Sequence, residues 1–138
     1  MFALKYKFQI RKSFLVVYLL LILLGLGLTI GRGYSQSTDF VIINTFITAH
    51  ISNFSLSLMS YLAIGFIWLM QGMKFHYIIF LGCVYVIGNL LCETIMTFLN
   101  TPDIIDAYFG IFGTLISFLF LLLMNKYGLI SINNEHQK

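Results

Sequence analysis

Glu93 stands inside an otherwise apolar run, IIFLGCVYVIGNLLCETIMTFL, with Asn89 four residues before it and Thr97 four residues after. On a helix these three share one face. A carboxyl group in such surroundings is protonated, paired or turned toward water, because low dielectric disfavours its charged form. A second set begins in NTPDIIDAYFGIFG, residues 100–113, where Asp103 and Asp106 precede another apolar run. Asp106, Gly110, Gly113 and Ser117 follow at spacings of four, three and four, a face small enough to admit a second backbone. A third set, Asn53, Ser57, Tyr61 and Gly65, repeats every four residues. Two carboxyl groups in a site of low dielectric do not both ionise readily. Glu93 and Asp106 are therefore expected to share a proton, to bond with Asn89, Tyr61 or Ser57, or to receive a cationic or hydroxyl-rich ligand. Asp103 has a simpler explanation. Thr101 suits an N-cap, Pro102 the first helical position, and Asp103 the first turn, where the helix dipole favours an anion. Capping does not need Asp106.

The elements that must carry these residues follow from composition. Of 138 residues, 59% are hydrophobic and only 9% charged, and the mean hydropathy is +0.93. A water-soluble domain of this length does not combine so much apolar residue with so little charge. A spanning helix needs about 20 mostly apolar residues, and four stretches qualify: 14–31, 54–71, 77–99 and 104–125. The expected fold is an all-α integral membrane bundle of four transmembrane helices. The basic start, residues 1–13, resembles the n-region of a signal peptide. The apolar run after it is longer than a usual h-region and no A-x-A-like cleavage site follows, so residues 14–31 are read as a membrane helix.

Lysine and arginine set the orientation. Lys5, Lys7, Arg11 and Lys12 precede the first span, Lys74 lies between the second and third, and Lys126 and Lys138 follow the fourth. Arg32 alone falls on the other side. The rule that cytoplasmic loops collect these residues places both termini in the cytoplasm, with residues 126–138 as a polar tail. The connections QGMKF and NTP are short and make the last three spans antiparallel neighbours. The first outer connection is longer. It places Phe40, Ile43, Ile47, Ile51 and Phe54 at helical spacing, which predicts a helix lying in the interface and feeding the second span.

Several function classes are excluded or left weak. A net charge of +3 without a basic stripe gives no nucleic-acid partner. Cys83 and Cys92, nine residues apart, point to nearly opposite faces of one helix, against a disulfide or a metal pair. There is no H-E-x-x-H, C-x-x-C, G-x-S-x-G or glycine-rich phosphate loop, and no cofactor or metal is called for. Three readings stay open. The first is a membrane protein that binds an amphipathic or lipid-linked molecule in a polar cluster of Glu93, Asp106, Asp103, Asn89, Tyr61, Ser57 and Asn53. The second is a scaffold subunit or homo-oligomer, packing through Gly27 and Gly31 or through the glycines of the fourth span. The third is an enzyme with Glu93 and Asp106 as an acid–base pair. His50, expected in a solvated loop, could approach Asp103 or Asp106.

The motifs resemble the VanZ-like family of small polytopic membrane proteins over residues 50–125. Family members often open a helix with D-x-x-x-H-F-x-x-Y-x-x-L-G-F, and NFSLSLMSYLAIGF, residues 53–66, corresponds. Tyr61, Gly65 and Phe66 match, while Asn53 stands in place of Asp and Ser57 in place of His. The family then has a Glu in the next helix, a short loop with Arg and Asp, and a helix with D-x-x-x-N-x-x-G. Glu93, Asp103, Asp106 and Gly113 match, with Asn100 for the Arg and Gly110 for the Asn. The resemblance implies a multi-pass protein of a bacterial-type plasma membrane. In some members it implies a link to glycopeptide antibiotic resistance and the cell envelope. It carries no established reaction.

Overall fold

A computed structural model of the chain describes residues 6–94 and 103–132. In chain order its elements are a short strand β1 (Phe8–Ile10), helices α1 (Lys12–Ser35), α2 (Thr45–Met70), α3 (Phe75–Thr94) and α4 (Ile104–Leu123), a wide π-type turn (Met124–Gly128) and a strand β2 (Leu129–Ser131). All four helices are long and apolar enough to cross a membrane. Residues 95–99, assigned above to the third span, and the predicted cap Thr101–Pro102 lie outside the described residues.

Two expectations are corrected. The interfacial helix does not exist as a separate element among the described residues. Ile43 takes φ +62°, a left-handed conformation that a β-branched residue adopts only under strain. Asn44 then turns extended and caps α2, its side chain accepting from the Ile47 amide at 2.7 Å. The break leaves Phe40 and Ile43 outside any helix. Ile47, Ile51 and Phe54 run straight on as part of α2, and Ile51 and Phe54 are buried. The single periodic pattern thus belongs to one long helix. Its 26 residues give a length of about 39 Å, more than the ~30 Å hydrocarbon thickness of a bilayer.

The second correction concerns the ends. The fold is helical except for a two-stranded antiparallel clasp, in which Phe8 faces Ser131, Gln9 faces Ile130 and Ile10 faces Leu129. Part of the expected polar tail is therefore a strand. The Arg11 amide donates to the Gly128 carbonyl at 2.8 Å, and the Lys7 amide to the Met70 carbonyl at 2.9 Å. At that corner α2 ends with Gly72 at φ +79°. Gly72 N–H bonds back to Leu69 and Met73 N–H to Trp68, a glycine-ended helix stop. The clasp brings both described ends of the chain to one end of the bundle. The starts of α2 and α4 and the end of α3 lie at the other.

Helix α2 is central and packs on α1, α3 and α4. Leu58, Tyr61, Leu62, Leu69, Ile78, Leu121 and Met124 are wholly buried. Its closest neighbour is α4, because Gly113 lies directly on the Phe54 carbonyl and the Leu58 amide, leaving no room for a side chain. Ser117 Oγ donates to the Leu58 carbonyl at 2.8 Å. Helix α1 is peripheral: Leu20, Leu23, Leu24 and Ile30 point outward, and Gly25 alone of its residues is buried, against Met59.

The contrast between two glycines is testable. Gly113→Leu should destabilise the protein by about 2 kcal/mol or more, because backbone cannot yield as a side chain can. Gly27→Leu, where nothing lies within 4 Å, should stay within about 0.5 kcal/mol of wild type. Unfolding in detergent micelles measures both, and equal effects would contradict the packing.

Candidate functional site

The polar residues gather at the end of the bundle opposite the clasp. The long first turns of α2 bring His50 there, and the α2–α4 contact sets it beside the start of α4. His50 Nδ1 lies 2.8 Å from Asp106 Oδ1 and 3.6 Å from Asp103 Oδ2. Phe46 and Phe109 flank the imidazole, with ring centroids 4.9 and 5.8 Å away, and fix its plane.

Asp103 divides its two oxygens. Oδ1 accepts from the Ile105 amide at 2.9 Å, so Asp103 is itself the N-cap of α4, two positions earlier in the helix than expected. Oδ2 turns toward His50. The backbone N–H of Asp103 points the other way and donates to Glu93 Oε2 at 3.4 Å. Glu93 is 7% exposed, so its carboxyl group must find partners inside the protein. Asn53 Nδ2 supplies the second, 3.3 Å from Oε1. Glu93 and Asp106 thus have separate partners and do not form the proton-sharing pair that their sequence context suggests.

One turn deeper, Asn89 Nδ2 donates to Ser57 Oγ at 3.1 Å and to the Tyr85 carbonyl at 2.8 Å. Its side chain lies flat on Gly110, where any Cβ would collide with it. The small face of α4 is therefore shared: Gly110 receives α3, while Gly113 and Ser117 receive α2. Tyr61 does not belong to the cluster. It is fully buried, and its hydroxyl donates to the Ile78 carbonyl at 2.9 Å, close above Gly82. Its role is to join α2 to α3. Thr97 lies outside the described residues.

Between α2 and α3 runs an open cleft of about 440 Å³, lined on one side by Asn53, Ser57 and Ser60 and on the other by Tyr85, Asn89 and Glu93. Its remaining walls, including Leu56 and Val84, face outward with their apolar side chains exposed. A second groove of the same size, between α3 and α4, is lined by apolar side chains such as Ile79, Ile87, Leu115 and Phe118 and has no ionisable residue other than Cys83. Of these two grooves, the first is the one lined by charged and amide side chains.

Six of the seven residues expected in the cluster lie at this end, and His50, expected in a solvated loop but able to approach Asp103 or Asp106, stands beside both on α2. The signal was present: His50, Asn53 and Ser57 continue the α2 stripe at spacings of three and four. Starting the helix at residue 54 hid it. A scan against protein-family models finds no match, and searches of curated proteins and of solved structures find no similar chain.

The cap makes a clean test. Asp103→Ala should cost about 1 kcal/mol by orphaning the Ile105 amide, and Asp103→Asn, which keeps the cap, less than half of that. Thermal denaturation of the purified protein reads the order, and equal losses would mean that charge rather than capping matters there.

Proposed function

We propose that this chain is a VanZ-like multi-pass membrane protein that receives the polar headgroup of an amphipathic, lipid-linked envelope molecule in the cleft between α2 and α3. The observation that carries this reading is the form of the cleft. Hydrogen-bonding side chains line its floor, and exposed apolar residues line its rim. A molecule with an apolar tail enters such a groove sideways from the bilayer and keeps its tail among lipid. Its headgroup meets Asn53, Ser57 and Asn89, which offer both donors and acceptors, and Glu93, which offers a carboxyl group. This set suits a hydroxyl-rich or cationic headgroup. The matching residues Tyr61, Gly65, Phe66, Glu93, Asp103, Asp106 and Gly113 support the VanZ-like kinship. The link to glycopeptide resistance rests on that kinship.

The cluster occupies the outer leaflet in this reading, with both termini cytoplasmic, because seven of the eight Lys and Arg residues fall on the side of the termini. Single cysteines in a background lacking Cys83 and Cys92 test the orientation. Ser37→Cys should react with a membrane-impermeant maleimide on intact cells, and Lys126→Cys only after permeabilisation. The reverse pattern would turn the protein over.

Function is tested by deleting the gene and scoring sensitivity to glycopeptides and envelope stress. Wild type should restore the parental phenotype. Glu93→Gln, at matched protein level, should not. Full rescue by Glu93→Gln would leave the cleft without a role and favour the scaffold reading.

A further inference from the structure

We infer that His50, Asp103 and Asp106 form a binding site for one divalent transition-metal ion of the zinc type, at the end of the bundle opposite the strand clasp. The site is independent of the ligand proposed for the cleft and does not use Glu93. One ligand atom from each residue lies within 4.8 Å of the others. Nδ1 is 2.8 Å from Asp106 Oδ1 and 3.6 Å from Asp103 Oδ2. Donors held at tetrahedral angles, 2.0–2.2 Å from a zinc ion, are separated by about 3.4 Å. Small side-chain rotations therefore suffice to seat an ion among them.

Hydrogen bonds account for Asp106 Oδ1 and for Asp103 Oδ1, but not for the approach of Asp103 Oδ2 to the imidazole. Nδ1 can donate a single proton, and at 2.8 Å that proton goes to Asp106. Asp103 Oδ2, at 3.6 Å, is beyond hydrogen-bond reach of the same nitrogen, yet it is the oxygen left over from capping and it faces the imidazole. Both carboxylates converge on one ring nitrogen that can satisfy only one of them. An ion satisfies both. A neutral imidazole with two carboxylates carries a charge of −2, which balances a divalent cation. The donor set also selects among ions. Calcium takes six to eight oxygens and magnesium an octahedral shell rich in water, whereas one imidazole nitrogen with two carboxylate oxygens suits zinc or its neighbours.

Access and rigidity fit as well. The three side chains are 13%, 38% and 19% exposed in the order His50, Asp103, Asp106, so an ion can enter from solvent and still be held. The ligands come from two helices whose spacing the Gly113 contact fixes, and Phe46 and Phe109 hold the imidazole plane. Three protein donors leave a fourth position open to water.

The test uses the full chain, without a polyhistidine tag, in detergent micelles. The protein is stripped with EDTA and titrated with Zn2+ or, for its visible absorption, Co2+. Wild type should bind one equivalent saturably. His50→Gln and Asp106→Asn should each weaken binding at least tenfold, while Asp39→Asn, which removes an exposed acid elsewhere, should leave it unchanged. Absence of saturable one-equivalent binding in wild type overturns the site even if the variants fold poorly. Wild-type affinity in both folded variants, or a loss equally large in Asp39→Asn, overturns it too.

Discussion

The α2–α4 contact at Gly113 governs the rest of the molecule. A bilayer provides no hydrophobic drive to press one spanning helix on another, since lipid tails are as apolar as leucine. Association depends instead on how closely surfaces meet. With Gly113 against the Phe54 carbonyl, the two backbones touch, and side chains on either side interdigitate at short range. The interhelical hydrogen bonds of Ser117 and Tyr61 add less. Such bonds average about 0.6 kcal/mol in membrane proteins. They set register more than they hold the bundle together. The same approach brings a histidine on one helix to within 2.8 Å of an aspartate on the other, 56 residues away in sequence.

From that contact the polar end acquires two compartments. Glu93, Asn53, Asn89 and Ser57 face the α2–α3 cleft, while His50, Asp103 and Asp106 gather between α2 and α4. Asp103 belongs to both, through its backbone N–H on one side and its carboxylate on the other. Sharing one residue between the two groups keeps the carboxyl groups of Glu93 and Asp106 on different partners.

The four helices were legible in the sequence because the bilayer demands long apolar runs, and no other pattern has that length. The stripes on α2, α3 and α4 were legible for a related reason: polar and small residues at spacings of three and four have little cause to face lipid. The start of α2 was not legible. The periodic pattern runs unbroken from Phe40 to Phe54, and the break at Ile43 and Asn44 comes from backbone conformation, which a β-branched residue gives no reason to expect. That one misplaced boundary put His50 in a loop instead of on the helix. The strand clasp escaped for another reason. Three-residue strands lack a periodic signature, and their pairing spans nearly the whole chain. His50 was one of several partners open to Asp106, because sequence fixes which face a residue occupies and leaves open which of two neighbouring helices that face meets.

The clasp between β1 and β2 has a consequence for assembly. Strand β1 is synthesised before any of the four helices and β2 after the last one, so their ladder cannot form until all four helices have been made. Until then Lys7 also lacks its place against Met70, and the segment from Tyr6 to Ile10 has only non-native surroundings. Closure of the clasp therefore requires that the whole helical part of the chain has been made. It ties the first helix, which packs on α2 through Tyr18 against Phe66 and Thr29 against Ser55, to the end of the last one through its own leading strand.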